Sequence, residues 1–133
     1  MKCSYVIDSE NNLIRKKWIG KMTVDDEIAL ICKIISDPKF RKGMNAICDL
    51  TEAEVDWSTS ELDRLRRYVA DIRKTTGECK WAIISSGGIT SLTARIFVLL
   101  HEAFMDTIEV KLFKTEQEAL PWINEVSVGD SSR

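Results

Sequence analysis

Lys80-Trp81-Ala82-Ile83-Ile84-Ser85-Ser86-Gly87-Gly88-Ile89-Thr90, continuing into an apolar periodic segment that ends at Phe104, is the stretch on which the fold turns. An apolar run of strand length meets two glycines and then residues at helical spacing. That order predicts a buried strand, a tight turn and a helix. Buried strands that feed helices through short turns belong to parallel α/β sheets, whose ligands and partners sit outside the carboxyl ends of the strands. The expected helix runs from about 91 to 104, capped by Thr90 or Ser91, with Leu92, Ile96, Leu99, Leu100 and Ala103 as its core stripe. Phe97 and Phe104 widen its apolar face, which is compatible with a subunit or ligand contact.

The same reading extends in both directions. Residues 3–8 and 12–19 are short β-rich runs around the polar turn Ser9-Glu10-Asn11, which predicts an antiparallel hairpin closed by Gly20. Thr23 is a helix N-cap with Asp25, Asp26 and Glu27 in the first turn, where the helix dipole favours negative charge. Val24, Ile28, Ile31 and Ile35 form its apolar stripe, and Asp37-Pro38 stops it. Asn45 to Leu50 is a short buried strand ending in Asp49. Ser58-Thr59-Ser60-Glu61 is a capping box that opens a helix over about 59–75, with Leu62, Leu65, Val69 and Ile72 inward and Gly77 as its stop. Glu109 to Phe113 is the last strand. Thr115-Glu116-Gln117-Glu118 is a second capping box that opens a final helix, in which Pro121 predicts a kink or a short first segment. The order β-β-α-β-α-β-α-β-α therefore predicts an α/β fold: a mixed sheet of about five strands, with the first antiparallel at an edge, and four helices. A single domain over 1–126 and a frayed tail over 127–133 complete the expectation.

Composition narrows the function. A chain of 133 residues with 44% hydrophobic residues can bury one core without staples. The formal net charge is −2, with acids and bases mixed along the length and no basic stripe to follow phosphates, so nucleic acid is not an expected partner. No run is long and apolar enough for a membrane span and no secretory segment is evident, which predicts a cytoplasmic protein. Cys3, Cys32, Cys48 and Cys79 stand far apart without a C-x-x-C, and His101 is the sole histidine. Metal-ligand spacing is absent, and neither metal nor cofactor is expected. The cysteines lie in apolar patterns and read as small buried core residues.

Gly20-Lys21-Met22-Thr23 before the first helix, Asp37-Pro38-Lys39-Phe40-Arg41-Lys42-Gly43 after it, Asp49-Leu50 at the middle strand and Glu118-Ala119-Leu120-Pro121-Trp122 in the last helix are structural punctuation. In this order they resemble the SpoIIAA-like group of STAS domains, over about residues 3 to 124. The resemblance implies a small regulatory domain. Anti-sigma-factor antagonists of that group bind a switch kinase and are released when it phosphorylates a serine at the start of the second helix, and a related branch resembles CRAL-TRIO lipid-binding domains. By position the phospho-acceptor would fall at Ser58, with Thr59 and Ser60 beside it. The antagonists carry an Asp-Ser-Ser-Gly-like turn there, whereas this chain reads Val55-Asp56-Trp57-Ser58-Thr59-Ser60.

The candidate residues follow. For a protein partner they are Ser58, Thr59, Ser60, Asp49 and Trp57, the last a large aromatic in an irregular segment on the strand-end side. For a small apolar or anionic ligand they are Ser86, Gly87, Gly88 and Thr90, since glycines at a helix start expose amides. The turn matches neither a P-loop nor a dinucleotide fingerprint. Cys48 and Asp49 would need a base partner for catalysis, and His101 lies deep in its helix, where the helical wheel predicts a solvated position. No catalytic residue is assigned. The expected function is a non-catalytic protein-interaction module, able to form a homodimer. The alternative is a carrier or sensor of a small ligand held between helices and sheet.

Overall fold

The computed structural model describes residues 2–104 and 107–125. The expected tail over 127–133 lies outside the described residues. A hairpin of β1 (Lys2–Asp8) and β2 (Leu13–Lys21) leads into α1 (Val24–Ile35), β3 (Asn45–Glu54) and α2 (Thr59–Asp71). A one-turn α3 (Arg73–Thr76) precedes β4 (Cys79–Ile84), α4 (Gly88–Ala103), β5 (Ile108–Phe113) and α5 (Glu116–Ile123). The five strands lie in sequence order in one sheet. β1 is antiparallel at one edge, and β2 to β5 run parallel. The fold is therefore the expected mixed α/β sheet, with one helix more than the sequence predicts. The extra helix arises because the chain breaks at Ile72 and winds one further turn before Gly77, whose φ of 70° ends it.

Successive crossovers in one direction place α1, α2 and α4 on one side of the sheet, where Ile31, Leu65, Val69 and Phe97 pack on Cys79, Ile108 and Val110. The other side holds α5, whose Ala119, Trp122 and Ile123 cover Leu13, Ile47, Ala82 and Ile84. The sharing of residues between the two faces follows strand alternation. β3 breaks that alternation once. Lys17 pairs with Asp49 but Ile19 with Glu52, so β3 carries one extra residue opposite Trp18. This bulge reverses the phase, and Ala46, Cys48 and Leu50 before it and Ala53 and Val55 after it all reach the same core. The strand consequently runs on to Glu54 rather than ending at Asp49.

The expected N-cap at Thr23 is part of a full capping box, and the box expected at Ser58 forms. Thr23 Oγ1 accepts from the Asp26 amide at 3.1 Å while Asp26 reaches back to the Thr23 amide at 3.1 Å, and Ser58 and Glu61 repeat the arrangement. At the last helix the expected box is half formed, with Thr115 Oγ1 accepting from the Glu118 amide at 3.2 Å, and the helix continues through Pro121 to Ile123.

Four expectations are corrected. First, α4 begins at Gly88, and its buried face is Thr90, Thr93, Ala94, Phe97 and His101. Leu92 and Leu99, expected inside, are 53% and 60% exposed. Apolar residues occupy two sides of this helix, and small Thr93 and Ala94 let the second side approach the sheet. Second, His101 is buried rather than solvated. Its Nε2 donates to the Ile108 carbonyl at 2.5 Å, and its ring stacks on Phe97. Third, only Cys48 and Cys79 are core thiols. Cys3 and Cys32 are exposed, because β1 is an edge strand and Cys32 lies on the outer side of α1. The buried face of α1 is likewise rotated from the expected stripe and comprises Val24, Glu27, Leu30, Ile31 and Ile34.

Candidate functional site

The candidate residues other than Asp49 gather at the end of the sheet where β2, β3 and β4 finish and α1, α2 and α4 begin. Thr90 ties this end together. Its hydroxyl accepts from the Val55 amide at 3.1 Å and donates to the Ala53 carbonyl at 3.2 Å, so the first turn of α4 is fastened to the end of β3. That hydroxyl is engaged within the fold and is not free for a ligand. Ser86, Gly87 and Gly88 remain exposed beside it. Gly87 and Gly88 have φ of 145° and 72°, and a side chain at either position would meet nothing within 4 Å. The glycines serve the backbone turn rather than a close approach to neighbouring atoms.

Ser58, Thr59 and Ser60 are exposed at the start of α2. Ser58 Oγ accepts from the Glu61 amide at 3.2 Å and donates to Glu61 Oε1 at 3.0 Å. Trp57 is half-buried between the two helix-side clusters, and its indole N–H donates to the Met22 carbonyl at 2.9 Å. It roofs the core and joins the end of β2 to the start of α2. Asp49 stands apart from these residues. It faces the α5 side of the sheet, where it accepts from the Thr51 amide at 2.9 Å and the Thr51 hydroxyl at 2.6 Å, with Lys17 Nζ at 3.8 Å.

Beneath Trp57 the structure holds a feature that the sequence reading missed. A cavity of about 90 Å³ lies between the sheet and α1, α2 and α4. Its wall is apolar except for a few groups, chief among them Lys16 and Glu27. Their side chains are 7% and 10% exposed and form an ion pair at 3.0 Å. Burial opposes the charge on Lys16, but the Glu27 carboxylate outweighs it, and the ammonium is held above its ordinary pKa. The Cys48 thiol in the same wall is pushed up to about 12 by burial, which the Lys16 charge only partly offsets. It stays protonated and unreactive at neutral pH. A signal for the pair is present in the sequence. Lys16 alternates with Ile14 and Trp18 on the core face of β2, and Glu27 sits three residues after Val24 on the apolar stripe of α1.

No group of three or more histidine, cysteine, aspartate or glutamate residues that could hold a metal ion occurs among the described residues. Among those residues, too, no helix is long and apolar enough to cross a membrane.

The backbone path decides the kinship. An uncharacterised DUF3478-family protein with a SpoIIAA-like fold from Shewanella loihica PV-4 superimposes with a TM-score of 0.56, covering 91% of this chain and 93% of its own. This chain has a SpoIIAA-like fold. Identity to that structure is 18%, so the likeness concerns the fold alone. No family model matches the chain, and no curated protein does.

Proposed function

We propose that this chain is a STAS-type regulatory domain that acts without catalysis, by binding a protein partner through the outer face of α4 and the adjoining starts of α2 and α4. The observation that carries this reading is the apolar surface of α4. Ile89, Leu92 and Leu99 are 52%, 53% and 60% exposed, and with half-buried Ile96 they follow the 3-4-3 spacing of a single helix face. Grouped exposed apolar side chains of this kind mark interaction surfaces. The exposed serines of α2 lie toward the same end of the molecule. A phosphate on Ser58 would add about −1.5 to −2 charge opposite Glu61 and break the capping box, which supplies a physical route for a switch. The free thiols of Cys3 and Cys32 suit the reducing cytoplasm in which we place the protein.

The test is capture from native cytosol on immobilised wild-type protein, Leu92→Glu/Leu99→Glu and Ser58→Glu. We expect a partner that wild type holds and the double glutamate loses, with Ser58→Glu weakened. Equal capture by all three would sink the reading. Sedimentation of the same proteins reports whether the occupant is a second copy, in which case wild type is dimeric and the double glutamate monomeric.

A further inference from the structure

The cavity beneath Trp57 carries a second, independent inference. Protein interiors are packed to crystal-like density, and voids of this size are few. Lysine and glutamate are rarely buried at all. A buried ion pair is also a poor stabiliser, because apolar residues of similar volume in its place are often neutral or better. Here the fold places such a pair in the wall of a void of about 90 Å³, roughly the liquid volume of three waters.

The pair is not saturated. Lysine has three N–H donors, and both hydrogen bonds of Lys16 go to the two oxygens of the one Glu27 carboxylate, at 3.0 and 3.1 Å. One donor remains for an acceptor. The other polar groups of the wall are already engaged or neutral: Thr93 donates to the Ile89 carbonyl, Thr76 donates to the Arg73 carbonyl, and Cys48 is a thiol. Remaining contacts are apolar, from residues such as Ile31, Met44, Leu65 and Phe97.

From this geometry we infer that the cavity is a binding site for a compact neutral molecule, with a small apolar body and one acceptor oxygen of the ketone or alcohol class, which hydrogen-bonds to Lys16. The charge of the wall selects neutrality. Glu27 already balances Lys16, so a carboxylate ligand would bring an uncompensated charge into an apolar interior. The volume selects size. An engineered apolar cavity of about 150 Å³ accepts the six heavy atoms of benzene, so a cavity of about 90 Å³ suits a molecule of about four. Trp57 lines the cavity and directly precedes Ser58, so occupancy is felt where α2 begins.

The experiment is a titration of ¹⁵N-labelled protein with acetone and with acetate, two probes of about four heavy atoms each that differ in charge. For wild type we expect saturable amide shifts at Lys16, Cys48 and Phe97 with the ketone and none with the anion. In Glu27→Gln, where Lys16 loses its counter-charge, the preference should move toward acetate by at least about tenfold, the scale of one charge-assisted hydrogen bond. If that variant fails to give a dispersed spectrum, Lys16→Met/Glu27→Leu replaces it and ketone affinity falls by about tenfold. Three outcomes would overturn the inference: no saturable shift with the ketone, equal binding of both probes to wild type, or a preference unmoved by the substitutions. The titration needs no protein partner, so its failure would leave the α4 surface untouched.

Discussion

At the scale of single residues, the side chains with chemical capacity are mostly committed to structure. His101 spends its Nε2 on the Ile108 carbonyl, Thr90 spends its hydroxyl on β3, and Cys48 is a buried thiol with a pKa of about 12. Thiol reactivity checks this directly. At pH 8 an aromatic disulfide reagent should modify Cys3 and Cys32 in the native protein, whereas Cys48 and Cys79 should react only after denaturant is added; four fast thiols in native buffer would contradict the core assignment. The Lys16–Glu27 pair makes a second prediction. Lys16→Met leaves Glu27 buried without its partner and should cost about 3–5 kcal/mol in urea unfolding, while Lys16→Met/Glu27→Leu should recover most of that loss. A double variant as unstable as the single would show that the pair, rather than its isolated charge, holds the core together.

At the scale of elements, capping and rotation decide what each helix shows to solvent. The starts of α1 and α2 are local matters, because Thr23 with Asp26 and Ser58 with Glu61 satisfy orphan amides within four residues. The rotation of α4 is a long-range matter. With Thr90 stapled inward, Thr93, Ala94, Phe97 and His101 follow at i+3, i+4, i+7 and i+11, and the leucines turn outward. Thr90→Val keeps the shape but leaves the buried Val55 amide without its acceptor. It should cost about 1–3 kcal/mol by chemical denaturation and speed hydrogen exchange at Val55. Unchanged exchange there would mean that the staple does not hold β3 to α4. The open face of α4, unlike its buried one, is where binding is proposed.

At the scale of the whole molecule, pH dependence comes from several exposed turns acting together. The Asn11 side chain and amide hold Asp8 below the usual carboxylate range, the Thr23 hydroxyl and amide do so for Asp26, and the Lys39 amide with the Tyr5 hydroxyl does so for Asp37. A depressed folded pKa adds stability above the unfolded value of about 3.9, and that stability is lost as pH falls through the folded values. The urea midpoint should therefore drop between pH 5 and pH 2, and drop less in Asp37→Asn; an equal drop in that variant would remove Asp37 from the account. By itself, the sequence determined the order of strands and helices, the antiparallel edge hairpin, the N-cap at Thr23 and the capping box at Ser58, because alternation, helical spacing and capping are short-range properties written within about a dozen residues. It also supplied the resemblance on which the regulatory reading began. Only the tertiary structure decided the bulge that rephases β3, the face that α4 turns to the sheet, the burial of His101, and the meeting of Lys16 with Glu27 across a cavity. Each of these depends on how elements distant in sequence share one core, and a charge on an apolar stripe has no meaning until the partner that neutralises it has been brought opposite.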